Sequence, residues 1–162
     1  MISYLKLLLT TIPGKLLSTF LLSMVPVIEL RGGLPYGIAL GLDYPLALAA
    51  AVLGNMVPVP FIVLYIRHIF AWLRKRSVWW NEKITKLEKR AHLKGRLVHK
   101  YSAIGLCVLV AIPLPGTGAW TGALVAALLD MRLKSAIPSI FLGVCIAAGI
   151  MTVVTTGIIH IL

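Results

Sequence analysis

The sequence predicts an all-α integral membrane protein, and three observations carry that prediction. Hydrophobic residues fill 59% of the 162 positions, charged residues only 13%, and the mean hydropathy is +0.95, a balance foreign to soluble globular chains. The apolar tracts reach about 20 residues, the length at which a helix crosses the hydrocarbon core. They also lack the strict alternation that marks membrane barrel strands.

Residues 1–13 are expected to form a short interfacial helix. Lys6 is early enough for a signal peptide, but Pro13, Gly14 and Lys15 interrupt the run and no small-residue cleavage pattern follows. Residues 14–43 are apolar but broken at Arg31-Gly32-Gly33-Leu34-Pro35, and residues 101–130 are broken at Pro113-Leu114-Pro115-Gly116-Thr117-Gly118. Each tract is too short for two full spans and is read as a re-entrant helical hairpin. Residues 44–66 and 133–162 are read as transmembrane helices, the former uncharged throughout and the latter from Ser135 onward. The whole chain forms a single membrane domain.

Between the two halves, residues 67–100 carry eleven Lys or Arg against Glu82 and Glu88, a net of +9. The positive-inside rule places this segment in the cytoplasm. Leu73, Trp80, Ile84, Leu87 and Ala91 follow helical spacing, with cations between them, so the segment is expected to be an amphipathic helix on anionic headgroups. Trp72, Trp79 and Trp80 fit the same interface. No nucleic-acid motif accompanies the charge. A hairpin over 101–130 keeps Arg132 and Lys134 on the cytoplasmic side, whereas a full span would export them. Counting backward, the first hairpin enters and leaves on the outer face near Asp43.

Pro26 and Pro113 precede the two breaks and Asp43 and Asp130 end the two hairpins, both pairs 87 residues apart. The expected architecture is therefore two inverted repeats, each a hairpin plus one transmembrane helix, with the substrate site where the broken ends meet near the midplane.

Chemistry concentrates at those breaks. Backbone freed at a helix break inside a membrane must be buried in protein or face water. Gly32, Gly33, Gly116 and Gly118 allow close backbone approach, Thr117 can bond freed backbone groups, and the helix start after Gly118 offers amides and a positive dipole end to an anion. Arg31 presents a planar donor fork suited to phosphate or carboxylate. Arg31, Gly32, Gly33, Gly116, Thr117, Gly118 and Trp120 are accordingly the expected substrate-binding set. The alternatives are glycines that merely shape tight hairpins and an Arg31 closed onto Glu29 as a salt bridge. Glu29 is the one acid deep in an apolar tract. Burial and a neighbouring arginine bear on its ionisation in opposite senses, so it is the expected proton-coupling residue. Asn55, Pro58 and Pro60 either seal helix packing or line a pathway.

Other classes lack support in the residues. There is no Ser-His-acid set, HExxH motif or acidic metal cluster, so no enzyme, cofactor or metal is expected. Cys107 and Cys145 sit in apolar tracts, where thiols pack as small hydrophobes, and no disulfide is expected. Ala50-Ala51-Val52-Leu53-Gly54 and Gly143-Val144-Cys145-Ile146-Ala147 offer close-packing faces, and a homodimer is expected because one chain can barely enclose a cavity.

Glu29-Leu30-Arg31-Gly32-Gly33-Leu34-Pro35, followed by Pro113-Leu114-Pro115-Gly116-Thr117-Gly118-Ala119-Trp120, resembles the small multidrug export protein family. That family looks related to the DedA or VTT membrane protein superfamily. The resemblance implies two opposed re-entrant hairpins, lipid transport that includes polyprenyl-phosphate carriers, and proton-dependent drug resistance. DedA proteins typically place acids in the first hairpin and arginines in the second; here Glu29 fits, while Arg31 lies in the first hairpin and the second has no arginine before Arg132. The functions that follow are movement of an anionic amphiphile such as a lipid-linked phosphate, proton-driven export of small amphipathic cations, or a non-transporting structural role in the cell membrane.

Overall fold

A computed structural model describes residues 10–86, 88–89, 103–114 and 117–161. Most of the expected interfacial helix, Leu87, residues 90–102 and Gly116 lie outside the described residues. The described residues are helical or in turns, with no strand among them.

The described residues hold eight helices: α1 (Ile12–Met24), α2 (Glu29–Ala39), α3 (Tyr44–Met56), α4 (Pro58–Arg76), α5 (78–86), α6 (Ala103–Ala111), α7 (Ala119–Leu128) and α8 (Leu133–Ile161). Proline sets several boundaries. Pro13, Pro45 and Pro58 fall in the first turns of α1, α3 and α4, where the missing N–H has no intrahelical partner to lose. Pro35 and Pro138 instead lie inside α2 and α8, each depriving the carbonyl four residues earlier of its donor.

α1 and α2 fold back on each other as a helical hairpin, but the chain turns at 25–28, around Pro26, and not at the expected Arg31-Gly32-Gly33-Leu34-Pro35, which is helical within α2 because the small glycines let it pack close on α1. Gly33 lies against Ser23 and Gly37 against Thr19, and added methyl groups would meet those side chains. At 13 and 11 residues, each arm is roughly 15 to 20 Å long, short of the some 30 Å hydrocarbon core. α6 and α7 pack on each other likewise, with Gly122 against Val110. α3 with the start of α4 (Tyr44–Ile66), and α8 over Leu133–Thr155, are long and apolar enough to cross a membrane.

The same pairs of elements pack in the two halves, though not to the same extent. α1 packs on α3 as α6 packs on α8, and α4 packs on α7 as α2 packs on α8. α2 ends in a Schellman turn, Gly41 N–H to Ile38 C=O and Leu42 N–H to Gly37 C=O, and α7 ends in the same turn, Asp130 to Ala127 and Met131 to Ala126, 89 residues later. The next helices start alike: the Asp43 carbonyl accepts from Leu46 and Ala47, and the Arg132 carbonyl from Ser135 and Ala136. Gly41 and Asp130 both hold the left-handed conformation this turn requires, φ 75° and 55°.

The offset of 87 expected from the prolines therefore holds only upstream of the breaks. There Ser23 faces Gly33 as Val110 faces Gly122, and the Phe20 carbonyl abuts Gly54 as the Cys107 carbonyl abuts Gly143. Beyond the breaks the offset is 89, because the second break is two residues longer, and Asp43 matches Arg132 rather than Asp130.

The core follows this plan. Leu30, Leu34, Ala47 and Ala51 are fully buried or nearly so, as are Ala119, Ala123, Ala136 and Ile140 at the matching positions. The basic segment departs from the expected single amphipathic helix. α4 carries the spanning helix on through Arg76, Ser77 is extended (φ −163°, ψ 142°), and α5 starts afresh. Within it Ile84 is buried while Trp72, Trp79 and Trp80 stay exposed. The Arg76 guanidinium lies 5.0 Å from the Trp72 ring and the Lys83 ammonium 5.3 Å from Trp79, cation–π contacts that hold the indoles at a charged boundary.

Candidate functional site

Four helix ends converge at the breaks. α1 stops at Val25, whose extended backbone leads into Pro26, and α6 stops at Ala111 before Pro113. Both ends leave carbonyls without intrahelical donors, while the starts of α2 and α7 leave amides without acceptors. The sequence satisfies these groups across the two halves.

Arg31, on the first turn of α2, reaches the end of α6. Its Nη1 donates to the Leu114 carbonyl, and its Nη2 to the Ile112 carbonyl at 3.1 Å and to Thr117 Oγ1 at 3.2 Å. The Thr117 hydroxyl is shared between the same two carbonyls at 2.7 and 2.8 Å. Trp120, on the first turn of α7, makes the reciprocal reach, its indole N–H donating to the Met24 carbonyl at the end of α1 at 3.1 Å. Arg31 and Trp120 occupy matching positions, 89 residues apart.

Glu29 is the one buried carboxylate among the described residues, 6% exposed. Its Oε1 accepts from the Trp120 backbone N–H at 3.3 Å, and the Ala119 N–H also bonds the carboxylate. A methyl group on Gly118 would fall on this carboxylate, so Gly118 makes the room that Glu29 fills. The α7 N-terminus, expected to seat an anion, thus holds an anionic side chain of the chain itself, where the helix dipole favours it. Glu29 enters α2 at φ 50° and Val27 just before it at φ 80°, left-handed conformations that cost a side-chain-bearing residue of order 1–3 kcal/mol and persist only where surrounding contacts impose them.

The alternative of an Arg31 closed onto Glu29 as a salt bridge is not formed: the two side chains take separate partners, Arg31 on the residues after α6 and Glu29 at the start of α7. Residues two apart on a helix do not share a face, so each side chain points to a different part of the opposite half. Of the other expected site residues, Gly33 is buried against Ser23, Gly32 touches Ile28, and Thr117, Gly118 and Trp120 join the cluster. Asn55 is 3% exposed with its Oδ1 unpartnered, so it does not seal helix packing through that oxygen. Cys107 and Cys145 are free thiols, and no cluster of three or more His, Cys, Asp or Glu suited to a metal occurs among the described residues.

Sequence reasoning missed the carbonyls of Met24, Ile112 and Leu114 as partners, as well as the reciprocal pairing itself. A signal was present in the glycines: Gly33 with Gly122 and Gly54 with Gly143 both stand 89 apart, and that register sets Glu29 against Gly118.

A family model described as "Putative small multi-drug export protein" matches residues 29–150, which holds Glu29, Arg31, Thr117, Gly118 and Trp120. Neither a curated protein nor a solved structure matches the chain. The match starts at Glu29 itself and spans about three quarters of the sequence, and the chain belongs to the small multi-drug export protein family.

Proposed function

We propose that this chain is a proton-coupled membrane transporter of an anionic amphiphile such as a lipid-linked (polyprenyl) phosphate. The observation that carries this reading is the Glu29 carboxylate seated on the α7 N-terminus against Gly118. It makes Glu29 a tethered stand-in for a substrate anion. Protonation of Glu29 removes the charge that the α7 amides hold, and an incoming headgroup takes the amides of the Gly116–Gly118 loop and α7. Arg31 then trades its carbonyl partners for the headgroup's oxygens. Return of Glu29 to its seat expels the headgroup and the proton together, so one proton accompanies one anion. The tail stays in lipid.

In this reading the hairpins α1–α2 and α6–α7 are re-entrant loops from opposite leaflets, and the halves are inverted repeats with the basic 67–100 segment in the cytoplasm. The short hairpin arms, the exchange of Arg31 and Trp120 between halves and the charge distribution support it. Asn55 supports a polar path at the same depth: counted from the Gly37–Ala47 contact along antiparallel α2 and α3, it comes level with Glu29. The protein acts as a homodimer, and a fully active detergent-stable monomer on native mass spectrometry overturns that part.

A second reading, proton-driven export of small amphipathic cations, is favoured by one observation: the Arg31 fork is taken up by the Leu114 and Ile112 carbonyls and the Thr117 hydroxyl, leaving Glu29 the exchangeable charge. Reconstitution in liposomes with fluorescent polyprenyl phosphate, ordinary phospholipid and a cationic dye separates the readings. The anionic reading expects Glu29→Gln to lose gradient dependence and Arg31→Ala or Arg31→Lys to lose headgroup movement. Full gradient dependence in Glu29→Gln overturns it. Dye flux lost in Glu29→Gln but kept in the arginine variants selects the cation reading, and reduced stability with no transport defect in any variant selects a structural role.

A further inference from the structure

We propose that a lateral groove between α4 and the α7–α8 turn binds an anionic phospholipid, with an acyl chain inside and the phosphate on its cationic rim. This site stands apart from Glu29 and does not depend on the transport reading.

The groove is lined by Val63, Leu64, His68, Ala71, Met131 and Leu133 and holds about 500 Å³, within the about 300–1,000 Å³ of small-molecule sites. Among the described residues its lining side chains are apolar apart from His68, which suits a hydrocarbon chain more than a free polar metabolite. The rim is cationic. Arg132 and Lys134 alternate with the lining residues Met131 and Leu133 and are exposed. One turn beyond His68 stands Trp72 with Arg76 against its ring, and the last turn of α4 adds Arg74 and Lys75. Arg74 pairs with Glu88, and Asp130, the acid of the α7–α8 turn, is itself engaged. Apolar slot, indole and cation thus follow one another along α4 in the order of an acyl chain, an interfacial zone and a phosphate. A second copy of the chain fits the groove less well, since a two-fold contact would set these cations against their own copies.

The test uses the full chain in detergent, titrated with phosphatidylglycerol or phosphatidylcholine of identical acyl chains and read by native mass spectrometry. Phosphatidylglycerol is expected to be retained about tenfold more tightly, each cation near the phosphate contributing to that preference. Arg132→Gln with Lys134→Gln should bring phosphatidylglycerol down to the phosphatidylcholine level. Ala71→Trp, which fills the slot, should remove both lipids. All three positions are exposed, so unchanged melting of the variants confirms that folding is intact. Equal retention of the two lipids, or retention unchanged in both variants, overturns the proposal. So does competition by glycerol phosphate alone, which makes the site one for free phosphate. A dimer lost in Ala71→Trp without change in bound lipid also overturns it, since the groove is then a contact between copies.

Discussion

Glu29 in the first half and Gly118 in the second hold matching positions, 89 residues apart, yet one carries the buried carboxylate and the other has no side chain. Arg31 and Trp120 match in the same way, each capping the broken helix of the other half, but with a charged fork on one side and a neutral indole on the other. The halves therefore share a backbone plan and divide its chemistry. Two carboxylates at this place would repel each other in a buried site, and a carboxylate against any larger residue would not fit. The acid needs a glycine opposite it.

Gly118→Ala is the sharpest way to break that pairing. Gly118 has an extended backbone open to any residue, φ −84° and ψ −163°, so the damage comes from displacing the Glu29 carboxylate alone. Loss of transport in liposomes is expected, with a stability cost of about 1–3 kcal/mol from overpacking. Restored stability, but not gradient coupling, is expected when Gly118→Ala is combined with Glu29→Ala; wild-type coupling in Gly118→Ala would show that the carboxylate does not work from this seat.

Gly54→Ala and Gly143→Ala test whether the halves are equally tight. Each added methyl meets the carbonyl of the facing half-helix, Phe20 or Cys107, and each is expected to cost about 1–3 kcal/mol, read as thermal melting in detergent. A large effect at one and none at the other would show that the correspondence is only formal.

The caps rank next. Arg31→Lys keeps the charge but cannot span two carbonyls and a hydroxyl, and losing one charge-assisted hydrogen bond costs about 1.5–3 kcal/mol. Trp120→Phe loses one neutral hydrogen bond to Met24, about 1 kcal/mol, while its backbone N–H still holds Glu29. Arg31→Lys should therefore melt below Trp120→Phe. Smallest of all, Gly149→Ala, where an added methyl meets nothing within 4 Å, should leave melting unchanged or raise it, since alanine is the better helix former by about 0.8–1 kcal/mol.

Much of the fold was legible because membrane physics leaves few options. The span Tyr44–Ile66 was expected and is found as one apolar stretch, with Pro58 interrupting its hydrogen-bond ladder after Val57, and the second hairpin break falls in the expected run before Gly118; the first falls at 25–28, ahead of the expected Arg31–Pro35 run, which is helical. The site was legible in its members and not in its wiring. Glu29 and Arg31 stand out by cost alone, but adjacency in sequence pointed to a mutual pair, and helical geometry sends them apart to α7 and α6. The register of the halves was misread from Asp43 and Asp130 because two extra residues in the second break shift everything after it. The break at Ser77 was hidden by a hydrophobic spacing that runs across it.

The exchange of caps also has a consequence for biogenesis. The indole that covers the Met24 carbonyl is made 96 residues later, roughly 5 to 20 seconds at ribosomal speed. Through that interval the nascent front half must stay beside the translocon or borrow water, and severed halves, expressed apart, should be degraded yet complement one another when made together.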